Sequence, residues 1–217
     1  MTELILVINP NSNSTITACI DRALNPFRLK NGPKIECLTL SEGPFGIESQ
    51  VDSDSVILPL VNLMSARNDA SAFIIACYSD PGLDTCRSVT SIPVFGIQES
   101  GVLTAMARAD LFGVIAISEA SIQRHRLLMR RMGVLGRLTQ ELALNISVDE
   151  SANGDDTLFS LVEVGQKLKD KGAGSIILGC AGMSSHRKAM ENELSIPIID
   201  PTQAAVSLAL GTILTKN

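Results

Sequence analysis

A long-range repeat limits the architectures open to this chain. Ala72-Phe73-Ile74-Ile75-Ala76-Cys77-Tyr78-Ser79-Asp80-Pro81-Gly82 is an apolar run that ends in a cysteine and passes at once into a turn. Ser175-Ile176-Ile177-Leu178-Gly179-Cys180-Ala181-Gly182-Met183 repeats the pattern, and the two cysteines lie 103 residues apart. A second landmark keeps nearly the same offset, since Ile92-Pro93-Val94 and Ile196-Pro197-Ile198 are 104 residues apart. Val7-Ile8 and Val114-Ile115, each ahead of a polar turn, align less closely. An internal match of this length is weighed before any local motif. It predicts two similar units in series, with equivalent strand ends facing one another across a cleft.

Within each unit, short apolar runs alternate with helical periodicity. Leu4 to Ile8 and Leu111 to Ile117 read as buried parallel strands, with weaker strands at 35–40, 92–96, 142–148 and 196–199. Helical spacing recurs over 16–27, 55–67, 81–90, from Gln98, from Ser118 to Met132, over 155–171, up to Leu194, and from Pro201 onward. The helix over 155–171 places Asp155 and Asp156 in its first turn and Lys167, Lys169 and Lys171 in its last, with Gly172 as its stop. Asn153-Gly154 reads as a turn, and residues 41–54 read as a long loop of the kind that lines a site. The fold class is therefore α/β, as two pseudosymmetric lobes, each a parallel sheet flanked by helices, with the active site between them. The expected division is an N-terminal lobe of 1–97 plus about 202–217 and a C-terminal lobe of 98–201.

Composition narrows the partners. With no Trp, one Tyr and six Phe, the core must be built from Ala, Val, Ile and Leu. A net charge of −5 argues against nucleic-acid binding. The one cationic cluster, Arg124-His125-Arg126 with Arg130-Arg131, reads as the solvated face of a helix. No apolar run approaches the ~20 residues of a membrane span, and the chain opens directly into a strand rather than a secretory leader. Five scattered cysteines then suggest free thiols in the cytoplasm. Zinc and other metals are not expected: no Cys-x-x-Cys occurs, and His125 and His186 are the only histidines. Homo-oligomerisation through helix faces is expected, without a signal for the number of copies.

A lone cysteine at the end of an apolar strand is usually a small core residue. A pair in equivalent slots of duplicated units means more. Backbone amides at the strand ends can favour a thiolate. One thiolate can then remove a proton from one face of a carbon while the opposite thiol returns one to the other face. A cysteine hydrolase would need a histidine base. His186 follows Cys180 by six residues, but it reads as an exposed helix histidine. A non-catalytic small-anion binding protein with inert cysteines is the reading from a different class.

The chain resembles the Asp/Glu/hydantoin racemase superfamily, most closely its hydantoin and allantoin racemase branch. The resemblance is carried by Asn9-Pro10-Asn11-Ser12, by Ala76 to Leu83, by Ile92 to Ile97 and by Leu178 to Met183. It implies cofactor-independent racemisation of a small-molecule substrate by Cys77 and Cys180 as the catalytic pair. It implies substrate contacts from Asn9, Tyr78, Ser79, Ser118, Gly182 and Met183, with backbone amides around Ser79 and Gly182-Met183 holding carbonyl or carboxylate oxygens. Ring substrates (5-substituted hydantoins or allantoin) are implied over aspartate or glutamate. Those amino acids would need a cation for the side-chain carboxylate, and neither cysteine motif has an Arg or Lys. One departure stands out: many hydantoin racemases carry two small hydroxyl residues where this chain has Ser118-Glu119.

Overall fold

The computed structural model describes residues 3–153 and 157–215. The first half of the chain runs β1 (Leu4–Asn9), α1 (Ser14–Ala23), β2 (Lys34–Thr39), α2 (Gln50–Ser55), α3 (Ile57–Ala66), β3 (Ala72–Ile75), α4 (Leu83–Val89), β4 (Val94–Gly96) and α5 (Ile97–Arg108). The second runs β5 (Phe112–Ala116), α6 (Glu119–Arg131), β6 (Leu138–Ala143), α7 (Glu150–Asn153), α8 (Thr157–Asp170), β7 (Ser175–Gly179), α9 (Arg187–Leu194), β8 (Ile198–Ile199) and α10 (Pro201–Leu214). Each lobe holds one parallel four-stranded sheet, in the orders β2-β1-β3-β4 and β6-β5-β7-β8. The two orders correspond strand for strand, so the repeat in the sequence is a repeat of topology.

Side chains in β1 and β3 alternate between two apolar layers. Ile5, Val7 and Ile74 face a cluster that continues into the second lobe through Val102, Ile177 and Val206. Leu6, Ile8, Phe73 and Ile75 face the outer layer, with Leu60 and Met64 of α3. Both faces of the sheet are covered, which is why these strands read as unbroken apolar runs. Burying one such Leu, Ile or Phe contributes about 1.5–3 kcal/mol. Helices α5 and α10 pack on one another and cross over: α5 lies against β7, and α10 lies against β3 and β4.

Some local expectations differ from the structure. The strand expected at 142–148 lies earlier, at β6, and residues 144–149 instead form a connection that reaches the cleft. β6 is an edge strand with the polar sequence Leu-Thr-Gln-Glu-Leu-Ala, so it lacks an apolar run. The long loop ends at Ser49, where Ser49 and Asp52 form a reciprocal capping box that starts α2 at Gln50, ahead of α3 at Ile57. Asp155 and Asp156, and Gly154 of the expected turn, lie outside the described residues.

Candidate active site

In a sheet of this order the strand direction of assembly reverses between β1 and β3, and between β5 and β7. Loops leaving the carboxyl ends of those strands diverge there and open a crevice. Cys77 follows β3 and Cys180 follows β7, so each cysteine stands at the switch point of its own lobe. The two crevices meet in one cavity. Both cysteines line it, with Asn11, Tyr78, Ser79, Ser121, Arg124 and His125 as its polar walls. Ile16, Ile47, Ile117 and Val148 supply apolar walls.

The two sulfurs have parallel surroundings. Cys77 Sγ lies 3.4 Å from Ser79 Oγ, and Cys180 Sγ lies 3.4 Å from Ser151 Oγ. Burial pushes the Cys77 thiol up to about 11, opposed by the hydroxyl and the amide of Ser79. Burial also raises the Cys180 thiol, and the Gly182 amide favours its thiolate. A Cβ at Gly182 would press on Ser151 Oγ and crowd Ile16, so a larger residue there would displace the hydroxyl beside Cys180. Met183 is fully buried, and its amide donates to the Cys180 carbonyl at 3.2 Å, closing the first turn after the strand.

Asn9 does not line the cavity. Its amide nitrogen donates to Asn11 Oδ1 (2.9 Å), the Asn13 carbonyl (3.1 Å) and Thr17 Oγ1 (3.0 Å), so it shapes the loop that presents Asn11. Ser118 also stays outside; it caps α6, its Oγ accepting the Ser121 amide at 3.3 Å, and Ser121 is the hydroxyl residue that reaches the cavity. Glu119 is exposed in the first turn of α6.

The cationic cluster is only partly a solvated face. Arg126 and Arg130 are exposed, but His125 is 2% exposed and Arg124 lines the cavity. Ser121, His125, Leu128 and Met129 fall on one face of α6, at i, i+4, i+7 and i+8, and that face turns inward. Glu141 on β6 meets His125 there, with Oε1 2.5 Å from Nδ1. Sequence reasoning missed Asn11, Ser121, His125, Glu141 and Ser151; the inward spacing of α6 was the signal available for two of them. His186 is half-buried rather than exposed, in a 3₁₀ turn over Ala181–His186, and it is not among the residues lining the cavity.

Asp80 organises the turn after Cys77. It adopts a left-handed φ of 45° and aims its carboxylate at the start of α5, accepting the amides of Gln98 and Glu99, both at 2.8 Å. Gly96 leaves the space that carboxylate occupies. In the second lobe Asp200 caps α10 directly, through the amides of Thr202 (2.8 Å) and Gln203 (3.2 Å). Among the described residues, no group of three or more His, Cys, Asp or Glu side chains is placed to hold a metal ion. No helix among them is long and apolar enough to cross a membrane.

Fold and cavity together define a class: a two-lobed α/β protein whose site lies at the seam, with one cysteine from each lobe. The chain belongs to the Asp/Glu/hydantoin racemase family, whose sequence profile matches residues 5–209. It is 31% identical over 210 residues to a hydantoin racemase of Paenarthrobacter aurescens, covering 94% of this chain and 89% of that one. It is also 31% identical over 209 residues to a hydantoin racemase of Pseudomonas sp. (strain NS671), covering 94% of this chain and 84% of that one. An allantoin racemase from Klebsiella pneumoniae has the same fold, with a TM-score of 0.92 and 26% identity over 99% of this chain and 89% of that one. These likenesses place the chain among racemases of the hydantoin and allantoin branch.

Proposed function

We propose that the protein inverts the C5 stereocentre of a cyclic ureide, a 5-substituted hydantoin or allantoin, without a cofactor. The observation that carries this reading is the presence of both thiols on one cavity. C5 of such a ring is flanked by a carbonyl, so the electron pair left by its proton delocalises onto that oxygen. One cysteine, as thiolate, takes the C5 proton; the other, as thiol, delivers its own proton to the opposite face. The C–H bond broken and the C–H bond formed balance, and the two sulfurs exchange roles. Hydrogen-bond donors around the cavity offset the charge that develops on the carbonyl oxygen. The names of the relatives support a ring substrate, and two-base proton transfer is the chemistry that duplicated thiols supply.

Incubating the wild-type protein in deuterated water with one enantiomer should place deuterium on C5 as optical rotation is lost. Neither exchange nor inversion across 5-substituted hydantoins, allantoin, aspartate and glutamate would sink the reading. The amino acids belong in that panel because Arg124 lines the cavity and gives a carboxylate a cationic partner.

A further inference from the structure

We propose that Arg124, Arg126 and Arg130 form an anion-binding mouth to the cavity, and that the substrate it admits carries a carboxylate on its C5 substituent. The inference rests on the cyclic-ureide reading and names the class of ureide.

The proton-transfer scheme uses no cation, yet half-buried Arg124 lines the cavity that holds both cysteines. It also lines a second cleft, open to solvent, together with Glu48, Gln123, Arg126 and Arg130. The Glu48 carbonyl, which accepts Arg124 Nη1 at 3.0 Å, stands at the boundary of the two spaces, since its neighbour Ile47 is a wall of the inner one. Arg124 is thus the partition between the outer cleft and the thiols. Three arginines against one glutamate make that cleft cationic, in a chain whose net charge is −5.

None of the three has a carboxylate of its own. Among the described residues they enter no ion pair, whereas Arg131, next along the helix, holds Asp84 at 2.9 Å. The acids nearby are engaged elsewhere. Asp52 accepts the Ser49 amide at 2.8 Å and its hydroxyl at 2.7 Å, Asp54 accepts Gln50 Nε2 at 2.8 Å, and Glu48 Oε1 takes the Val148 amide at 3.2 Å. Arg124 is anchored through Nη1 alone, to the Glu48 carbonyl and, at 3.4 Å, to the Ala120 carbonyl. Its Nη2 donates to nothing among the described residues. A guanidinium held by neutral carbonyls keeps its full charge, and a partly desolvated cation pairs most strongly with a carboxylate. Ile16, Ile47, Ile117 and Val148 make much of the remaining cavity wall apolar, so a neutral C5 substituent leaves that cation unpaired. A cleft of one sign also raises the local concentration of ligands of the other. The ammonium of a free amino acid is repelled by the same three arginines, while a ureide acid carries no cation.

The test compares kcat/KM on hydantoin-5-acetate and hydantoin-5-propionate with that on their neutral amides, at low and at raised salt. In the wild-type protein the better acid should exceed its amide by roughly tenfold or more, the worth of one hydrogen bond to a charged group. The excess should shrink as salt is added. Arg124→Gln should abolish it. The Arg124 contact with Glu48 bears on acid and amide alike, so the acid-to-amide ratio isolates the charge. The double variant Arg126→Gln/Arg130→Gln, on exposed positions of α6, should lower the ratio and flatten its salt dependence. A wild-type ratio below about threefold, less than one such bond, or a ratio that neither variant lowers, overturns the anion site. A ratio lowered by Arg124→Gln alone upholds the Arg124 contact and removes the outer pair from it. Turnover of 5-methylhydantoin and of the amides with no preference for an acid overturns this site only. A wild-type protein inert on acids, amides and 5-methylhydantoin alike overturns the ureide reading itself, before any variant is compared.

Discussion

Ser151 Oγ stands 3.4 Å from Cys180 Sγ while donating its one proton to the Val148 carbonyl at 2.6 Å. A hydroxyl has a single proton, and that of Ser151 is shared between the Val148 carbonyl and the Cys180 sulfur. Ser79 Oγ, at the same 3.4 Å from Cys77 Sγ, has no other partner among the described residues and is free to donate to a thiolate. The lobes are alike in outline but differ in what each serine hydroxyl has left to offer its sulfur, since Ser79 has no second acceptor and Ser151 does.

Alkylation by a small neutral reagent should therefore reach Cys77 before Cys180, as read by peptide mass mapping. Ser79→Ala should slow Cys77 by about tenfold, the worth of one hydrogen bond to a charged group, while Ser151→Ala should slow Cys180 less. The Cys77 rate should climb with pH from 7 upward and level off near about 11, where burial has moved the thiol. Equal rates at both cysteines, or no response to Ser79→Ala, would contradict this asymmetry.

Burial pushes the Asp80 carboxyl up from 3.8 to about 7, against the pull of its two amide donors. The folded protein then binds more protons than the unfolded chain between about pH 4 and 7. The Asp80 contribution to stability is fully present below that window and is lost as pH rises through it, by at most about 1.4 kcal/mol per pH unit. Asp200 is shifted in the same direction by burial. Denaturant unfolding at several pH values checks the slope, and Asp80→Asn should flatten it. That variant also keeps only one acceptor oxygen for two amides, a loss of about 1 kcal/mol of helix capping. An unchanged slope in Asp80→Asn would clear Asp80 of the effect.

Arg124 joins the two sides of the cavity. Its Nη1 donates to the Glu48 carbonyl at 3.0 Å, and Glu48 Oε1 accepts the Val148 amide at 3.2 Å. Ile47 and Val148, beside these bonds, are cavity walls. Arg124→Ala should keep the melting temperature nearly unchanged, because a half-exposed bond contributes about 1 kcal/mol or less. Amide hydrogen exchange over 46–49 should accelerate several-fold, and KM should rise. Unaltered exchange there would mean that the segment is held by other contacts.

The architecture was legible because both faces of each sheet are covered. Leu4 to Ile8, Phe73 to Ile75 and Ile176 to Leu178 must be apolar throughout, and a parallel strand of that kind announces itself. β6 was illegible for the opposite reason: as an edge strand, Leu138–Ala143 carries three polar residues, Thr139, Gln140 and Glu141, in a row, and Val148 beyond it lines the cavity instead. The cysteine pair was readable from its repeat. The rest of the wall depends on tertiary packing. His125 is read correctly only when Glu141, sixteen residues away on another element, is known to lie behind it. Asn9 and Ser118 have the composition of substrate contacts but spend their side chains on loop and helix caps, and neighbours two and three residues on, Asn11 and Ser121, occupy the cavity.

The central claim is that Cys77 and Cys180 serve opposite faces of one carbon, and deuterium exchange by the single variants tests it most directly. Cys77→Ser and Cys180→Ser are each incubated in deuterated water with each enantiomer of the substrate, and exchange at C5 is followed by NMR. Both variants should lose racemisation, yet each should still exchange the proton of one enantiomer, Cys77→Ser of one hand and Cys180→Ser of the other. Either variant exchanging both enantiomers at the wild-type rate would contradict the two-thiol account.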